Sequence, residues 1–74
     1  MRLSETVIGN KYVIVKINTC GNSLYALWDL GITEGSEIER VGQSPFKDPS
    51  AYLIKDTVLA IRNELAELIE VMTK

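Results

Sequence analysis

Side chains that do chemistry are sparse in this 74-residue chain. There is one cysteine, Cys20, set beside Gly21, and no histidine at all. A nucleophilic thiolate normally draws on a neighbouring base, so Cys20 reads as passive. Zinc and iron sites recruit histidine or clustered cysteine, and both are missing. Glu34, Glu37 and Glu39 lie close in sequence, and Glu64, Glu67 and Glu70 recur every three residues. Carboxylates at such spacing could hold a hard cation weakly, but a solvated acidic face is the simpler reading. Paired carboxylates for acid–base work would need a pocket, for which a domain this small has little room. The glycines are isolated from one another and form no phosphate-cradling loop. We therefore expect no catalytic residues, no cofactor and no metal site.

The aromatic residues hold more promise. Leu24, Leu27 and Trp28 stand at i, i+3 and i+4 and share one helical face, which places Trp28 in the core. Tyr25 falls outside that face and is expected in solvent. Phe46 lies between Pro45 and Pro49, where full burial is difficult. An aromatic on a rigid loop can anchor a protein contact, or it can fold back as a lid over one end of the fold. Tyr25, Phe46 and the neighbouring Lys47 are the candidate partner-binding residues.

Composition narrows the class. An apolar content of 46% is ordinary for a folded domain and argues against disorder. Eight basic residues against ten acidic ones give a net charge of −2, without the basic face of a phosphate-backbone binder. One cysteine cannot form an internal disulfide, so no oxidising compartment is implied. The first residues lack the apolar core of a signal peptide, and no apolar run approaches the ~20 residues of a membrane helix. The expectation is one domain spanning residues 1–74, soluble and cytoplasmic.

The elements that position these residues follow from periodicity. Ser4 can cap a single turn that ends at Gly9-Asn10. Residues 12–17 alternate and are rich in β-branched side chains, giving a mostly buried strand. A helix over about residues 22–31 follows, capped by Asn22 or Ser23 and closed by Gly31 in the left-handed conformation. Further strands are expected at 37–42, 51–54 and 58–61, separated by an irregular loop over 43–50 and a turn at Lys55-Asp56-Thr57. The tail is ambiguous. Leu65, Leu68, Ile69 and Met72 fit helical spacing, while residues 68–71 can also form a short strand after one turn at 63–66. Short strands with one inserted helix suggest a small, mainly β, closed or nearly closed barrel.

Gly9 precedes the Val/Ile strand, and Leu27-Trp28-Asp29-Leu30-Gly31-Ile32-Thr33-Glu34-Gly35 follows it. Then come Ser44-Pro45-Phe46-Lys47-Asp48-Pro49 and Leu59-Ala60-Ile61-Arg62, with Ala66, Ile69 and Val71. In this order and spacing the chain resembles FeoA, a small cytoplasmic protein of bacterial ferrous iron transport. The resemblance implies an SH3-like barrel of about five strands, with the helix after the first strand and a helical turn before the last. It implies that the tail ends as a strand. It implies no enzymatic activity, and a partner in FeoB, the membrane iron permease that carries a cytoplasmic G-protein domain. Three positions depart from the family pattern: Ala26 where a basic residue is usual, Lys55-Asp56-Thr57 where the turn often has glycine, and Leu65 where an acidic residue is common. Two rivals are weighed. One is the SH3-like module of a metal-dependent transcription regulator of the diphtheria toxin repressor type, although the 74 residues include no DNA-binding helices. The other is a small nucleic-acid-binding barrel, disfavoured by the acidic balance.

Overall fold

The computed structural model describes all residues from Met1 to Lys74. Its strands are β1 (Lys11–Ile17), β2 (Glu37–Gln43), β3 (Ser50–Ile54), β4 (Thr57–Ile61) and β5 (Ile69–Thr73). The helices are α1 (Gly21–Asp29) and the single turn α2 (Asn63–Ala66), preceded by a 3-10 turn at Leu3–Glu5. All pairings are antiparallel, in the order β4-β3-β2-β1-β5. This is the mainly β fold with one inserted helix expected from the sequence.

Every strand contributes to one core. Tyr12, Ile14, Ile38, Tyr52, Ile54, Ile61, Ile69 and Val71 are buried in a single cluster. Leu3, Leu27, Ile32 and Ala66 join it from outside the sheet. Each fully buried large side chain contributes about 1.5–3 kcal/mol, so these positions carry the stability of a small domain.

Simple alternation does not survive along β1. It would put Ile17 on the face opposite Tyr12 and Ile14, yet all three are buried. The register with β5 shifts between Ile14 and Lys16, and the bulge rotates Ile17 back to the core. Val15 and Lys16 are left exposed at the bulge, so this strand is less buried than its composition suggests.

The helix begins one residue earlier than expected. Cys20, in extended conformation, is the N-cap residue, and no side chain caps the free N–H groups there. The exit follows the sequence closely. Gly31 has φ +87 and donates to the Trp28 carbonyl at 2.9 Å, while Ile32 donates to the Leu27 carbonyl at 2.9 Å. These two bonds form a Schellman motif, and the buried pair Leu27 and Ile32 supplies its apolar contact. Only Leu27 and, in part, Leu24 turn inward from α1. Trp28 is 48% exposed, which overturns its placement in the core. The helix is short and docks through a stripe too narrow to include the i+4 position.

The tail resolves as one turn and a strand, as the resemblance implied, and not as the helix that its spacing allows. Asp48 Oδ1 accepts the Asn63 N–H at 3.0 Å at the start of α2. β5 then pairs with β1. The outer edge of β5 is taken by the N-terminus: Val71 N–H donates to the Met1 carbonyl at 2.7 Å, and Arg2 bridges Glu70. Ser4 lies inside the 3-10 turn and does not cap it; instead the Glu5 carboxylate accepts the Arg2 N–H at 2.8 Å.

Candidate functional site

The segment between β2 and β3, which carries Phe46, is fixed by a set of local hydrogen bonds. Ser44 Oγ accepts the Asp48 N–H at 3.0 Å and donates to the Asp48 carbonyl at 2.8 Å. Lys47 N–H donates to the Ser44 carbonyl at 2.9 Å, and Ser44 N–H to the Pro49 carbonyl at 3.0 Å. Lys47 itself sits at φ 66, and the Asp48–Pro49 peptide is cis. Asn63 ties the loop to α2 from below, with its amide Nδ2 donating to the Lys47 carbonyl at 3.2 Å. Held this way, Phe46 is 89% exposed. The lid reading is therefore excluded, because the ring covers nothing. A large aromatic on a hydrogen-bonded loop loses little conformational entropy on docking, which suits it to anchor a protein contact.

Tyr25 is 58% exposed, as expected. Its ring meets that of Trp28 with centroids 5.7 Å apart and planes tilted by 56°. The two form an exposed aromatic pair that the sequence reading missed by burying Trp28. Their i, i+3 spacing on a helix was the available signal. The structure thus joins Tyr25 to Trp28, and Lys47 to Asn63, but brings no ring into contact with Phe46.

An apolar groove of about 480 Å³ lies between the end of α1 and the β4–α2 junction, lined by Leu30, Ala60, Ile61, Arg62, Leu65 and Leu68 among others. A second, polar groove of about 350 Å³ runs past Lys11, Glu37, Glu39 and Lys55. There Glu37 pairs with Lys74 at 2.6 Å and more loosely with Lys11 at 4.0 Å. The Lys74 hydrogen bond leads in holding the Glu37 carboxyl below its ordinary range. Glu37 is therefore committed to surface ion pairs. Nowhere do three acidic or thiol side chains gather in a metal-holding group. Cys20 is exposed. Nothing here assembles a nucleophile with a base. The exposed surface does carry large apolar and aromatic side chains, among them Tyr25, Trp28, Leu30, Phe46 and Val58.

Comparison with known proteins shows the family. The family model described as FeoA domain matches residues 1–73. A curated protein of Porphyromonas gingivalis, an Fe(2+) transport protein A/Fe(2+) transporter FeoB fusion protein, is 37% identical over 96% of this chain. The solution structure of iron(II) transport protein A from Clostridium thermocellum superposes with a TM-score of 0.95 at 33% identity, over 99% of this chain. FeoA of Stenotrophomonas maltophilia, solved as a zinc complex and described as an SH3 domain protein, is 24% identical. It covers 97% of this chain and 89% of its own with a TM-score of 0.83, a likeness of fold alone. The present chain spans 8% of the length of the fusion protein and 45% of the Clostridium chain. No helix is long and apolar enough to cross a membrane.

Proposed function

This chain belongs to the FeoA family, and from that premise we propose that it is a non-enzymatic accessory protein of ferrous iron transport that binds and modulates a FeoB-type permease from the cytoplasmic side. The observation that carries the reading is the fusion: in a relative 37% identical, the matching sequence shares one polypeptide with the FeoB transporter. Fusion places the two at high effective concentration, which favours partners that act together. The SH3-like unit of residues 1–74 acts as a binding module and reaches the membrane only through this partner.

Phe46 is the anchor of the proposed contact, with Lys47 at its rim and Tyr25, beside Trp28, as a second aromatic element. Desolvated aromatics near the centre of an interface carry most of its energy, while rim charges mainly set encounter rate. The test is a calorimetric titration of this chain against the soluble cytoplasmic part of FeoB. Phe46→Ala should weaken binding by more than about 1 kcal/mol, with an unchanged melting temperature because the side chain is exposed. Lys47→Ala should slow association more than it speeds dissociation. Equal affinity of wild type and Phe46→Ala would put the contact surface elsewhere. Absence of binding by wild type would remove the FeoB reading.

A further inference from the structure

The sheet has two edges, and they are treated differently. The edge of β5 is occupied by Met1 and Arg2. The edge of β4 is not: its residues take part in no backbone hydrogen bond outside the ladder with β3. The pairing Ile54↔Thr57, Leu53↔Val58, Tyr52↔Leu59 closes on the two-residue turn Lys55-Asp56, both residues at positive φ. Such a turn begins with a hydrogen-bonded pair, so Thr57, Leu59 and Ile61 bond to β3. Val58 and Ala60 then turn their N–H and C=O groups outward.

Nothing blunts this edge. Natural sheets protect an open edge with charge, proline, a bulge or a covering segment. The strand reads Thr57-Val58-Leu59-Ala60-Ile61, uncharged and without proline, and its register with β3 is unbroken. Val58 is 61% exposed. The apolar groove that includes Leu30 and Leu65 runs along its C-terminal end.

From this edge we infer that the protein self-associates into a two-fold dimer in which β4 pairs antiparallel with β4 of a second copy, centred on Leu59. The charges beside the strand select that occupant and register. Asp56 and Arg62 are exposed and flank the strand, and neither has an ion-pair partner within the chain. In the register centred on Leu59, the outward backbone groups of Val58 meet those of Ala60, and Asp56 of each copy faces Arg62 of the other. Shifting by one pair, to centre on Val58 or Ala60, preserves the hydrogen-bond parity but loses both charge contacts. An isologous interface repeats every favourable contact, so the charge match counts twice. Leu59 meets its own symmetry mate, and Val58 of the second copy comes opposite Ala60 at the edge of the groove.

The experiment is sedimentation velocity and light scattering from micromolar to millimolar protein, paired with amide hydrogen exchange at both ends of that range. The expected result is a concentration-dependent dimer, with exchange at Val58 and Ala60 slowing selectively as it forms. Arg62→Asp should weaken the dimer about tenfold or more, because like charges then face each other at both ends. The fold should hold, since Arg62 is the N-cap residue of α2 and aspartate is favoured there. Adding Asp56→Lys to Arg62→Asp should restore dimerisation, a rescue that a folding defect would not give. Val58→Lys, on the exposed face, should abolish the dimer without changing the melting temperature of the monomer. A monomer throughout the range, a dimer indifferent to Arg62→Asp, or slowed exchange anywhere but Val58 and Ala60 would overturn the assignment.

Discussion

The guanidinium of Arg40 donates to the hydroxyl oxygen of Ser50 at 2.6 Å, linking β2 to a residue that is wholly buried in β3. The same guanidinium donates to the Thr6 carbonyl at 2.8 Å, more weakly to the Ser4 carbonyl at 3.4 Å, and lies 5.9 Å from the centre of the Tyr52 ring. One cation thus fastens the N-terminal segment to the middle of the sheet.

Arg40→Met should therefore destabilise the fold by about 2–3 kcal/mol. It keeps the apolar stem and removes the donors, leaving the Ser50 hydroxyl and the Thr6 carbonyl short of partners. Urea unfolding of the two proteins measures this. A loss below about 0.5 kcal/mol, ordinary for a surface change, would show that the network is slack.

Tyr52 supplies a pH dependence. Burial pushes its hydroxyl above the ordinary tyrosine range, against the opposing pull of Arg40. A raised pKa in the folded state means that the neutral phenol is favoured by folding. The resulting stability is complete below the unfolded value of about 10 and is lost as pH rises from there through the folded value. Denaturant midpoints measured from neutral to strongly alkaline pH should fall in that window. Tyr52→Phe should fall less steeply there, and parallel curves would count against the assignment.

Leu27 and Trp28 are neighbours with opposite fates, which makes them a matched pair. Leu27→Ala opens a cavity at a residue 1% exposed and should cost about 2–5 kcal/mol. Trp28→Ala removes a larger side chain but mainly its packing on Tyr25, and should cost about 1 kcal/mol or less. Thermal melts of both variants decide the order. A larger loss at Trp28 would contradict the exposed position of its ring.

Gly31 tests the helix exit. A left-handed backbone costs a side-chain-bearing residue about 1–2 kcal/mol. An added Cβ would also stand 3.3 Å from Cδ of Lys55, a flexible chain able to move aside. Gly31→Ala should lose about that much stability by urea unfolding and Gly31→Val more, since branching tightens the restriction. Equal stability of Gly31→Val and wild type would mean that the Schellman bonds do not form.

The legible parts of this fold were those set by local chemistry. Gly31 marked the helix exit because few other residues tolerate its φ. The strands through Tyr52 and Ile61 showed in their short apolar runs, and the strand through Ile38 in the spacing of its two β-branched residues among charged ones. What escaped depended on register. The bulge at Val15 leaves no mark in composition, yet it decides which side of β1 Ile17 faces. Trp28 was misplaced because spacing identifies neighbours on a helix but not how wide a stripe the sheet will cover. The prolines marked Phe46 as hard to bury but left anchor and lid both open; Ser44 and Asn63, fixing the loop from both sides, hold it outward. The tail was settled by pairing with β1, a contact far away in sequence.

The Met1 carbonyl on Val71 has a consequence for how many molecules can join. With Glu70 and Val71 already paired on that edge, the β4 pairing inferred above would leave little backbone for a further copy and would close as a pair. Trimming the first residues would expose a second template on the opposite edge. Each molecule would then have two growth points, and the same pairing chemistry would propagate into open-ended filaments. In that assembly the N-terminal residues would act as a chain terminator.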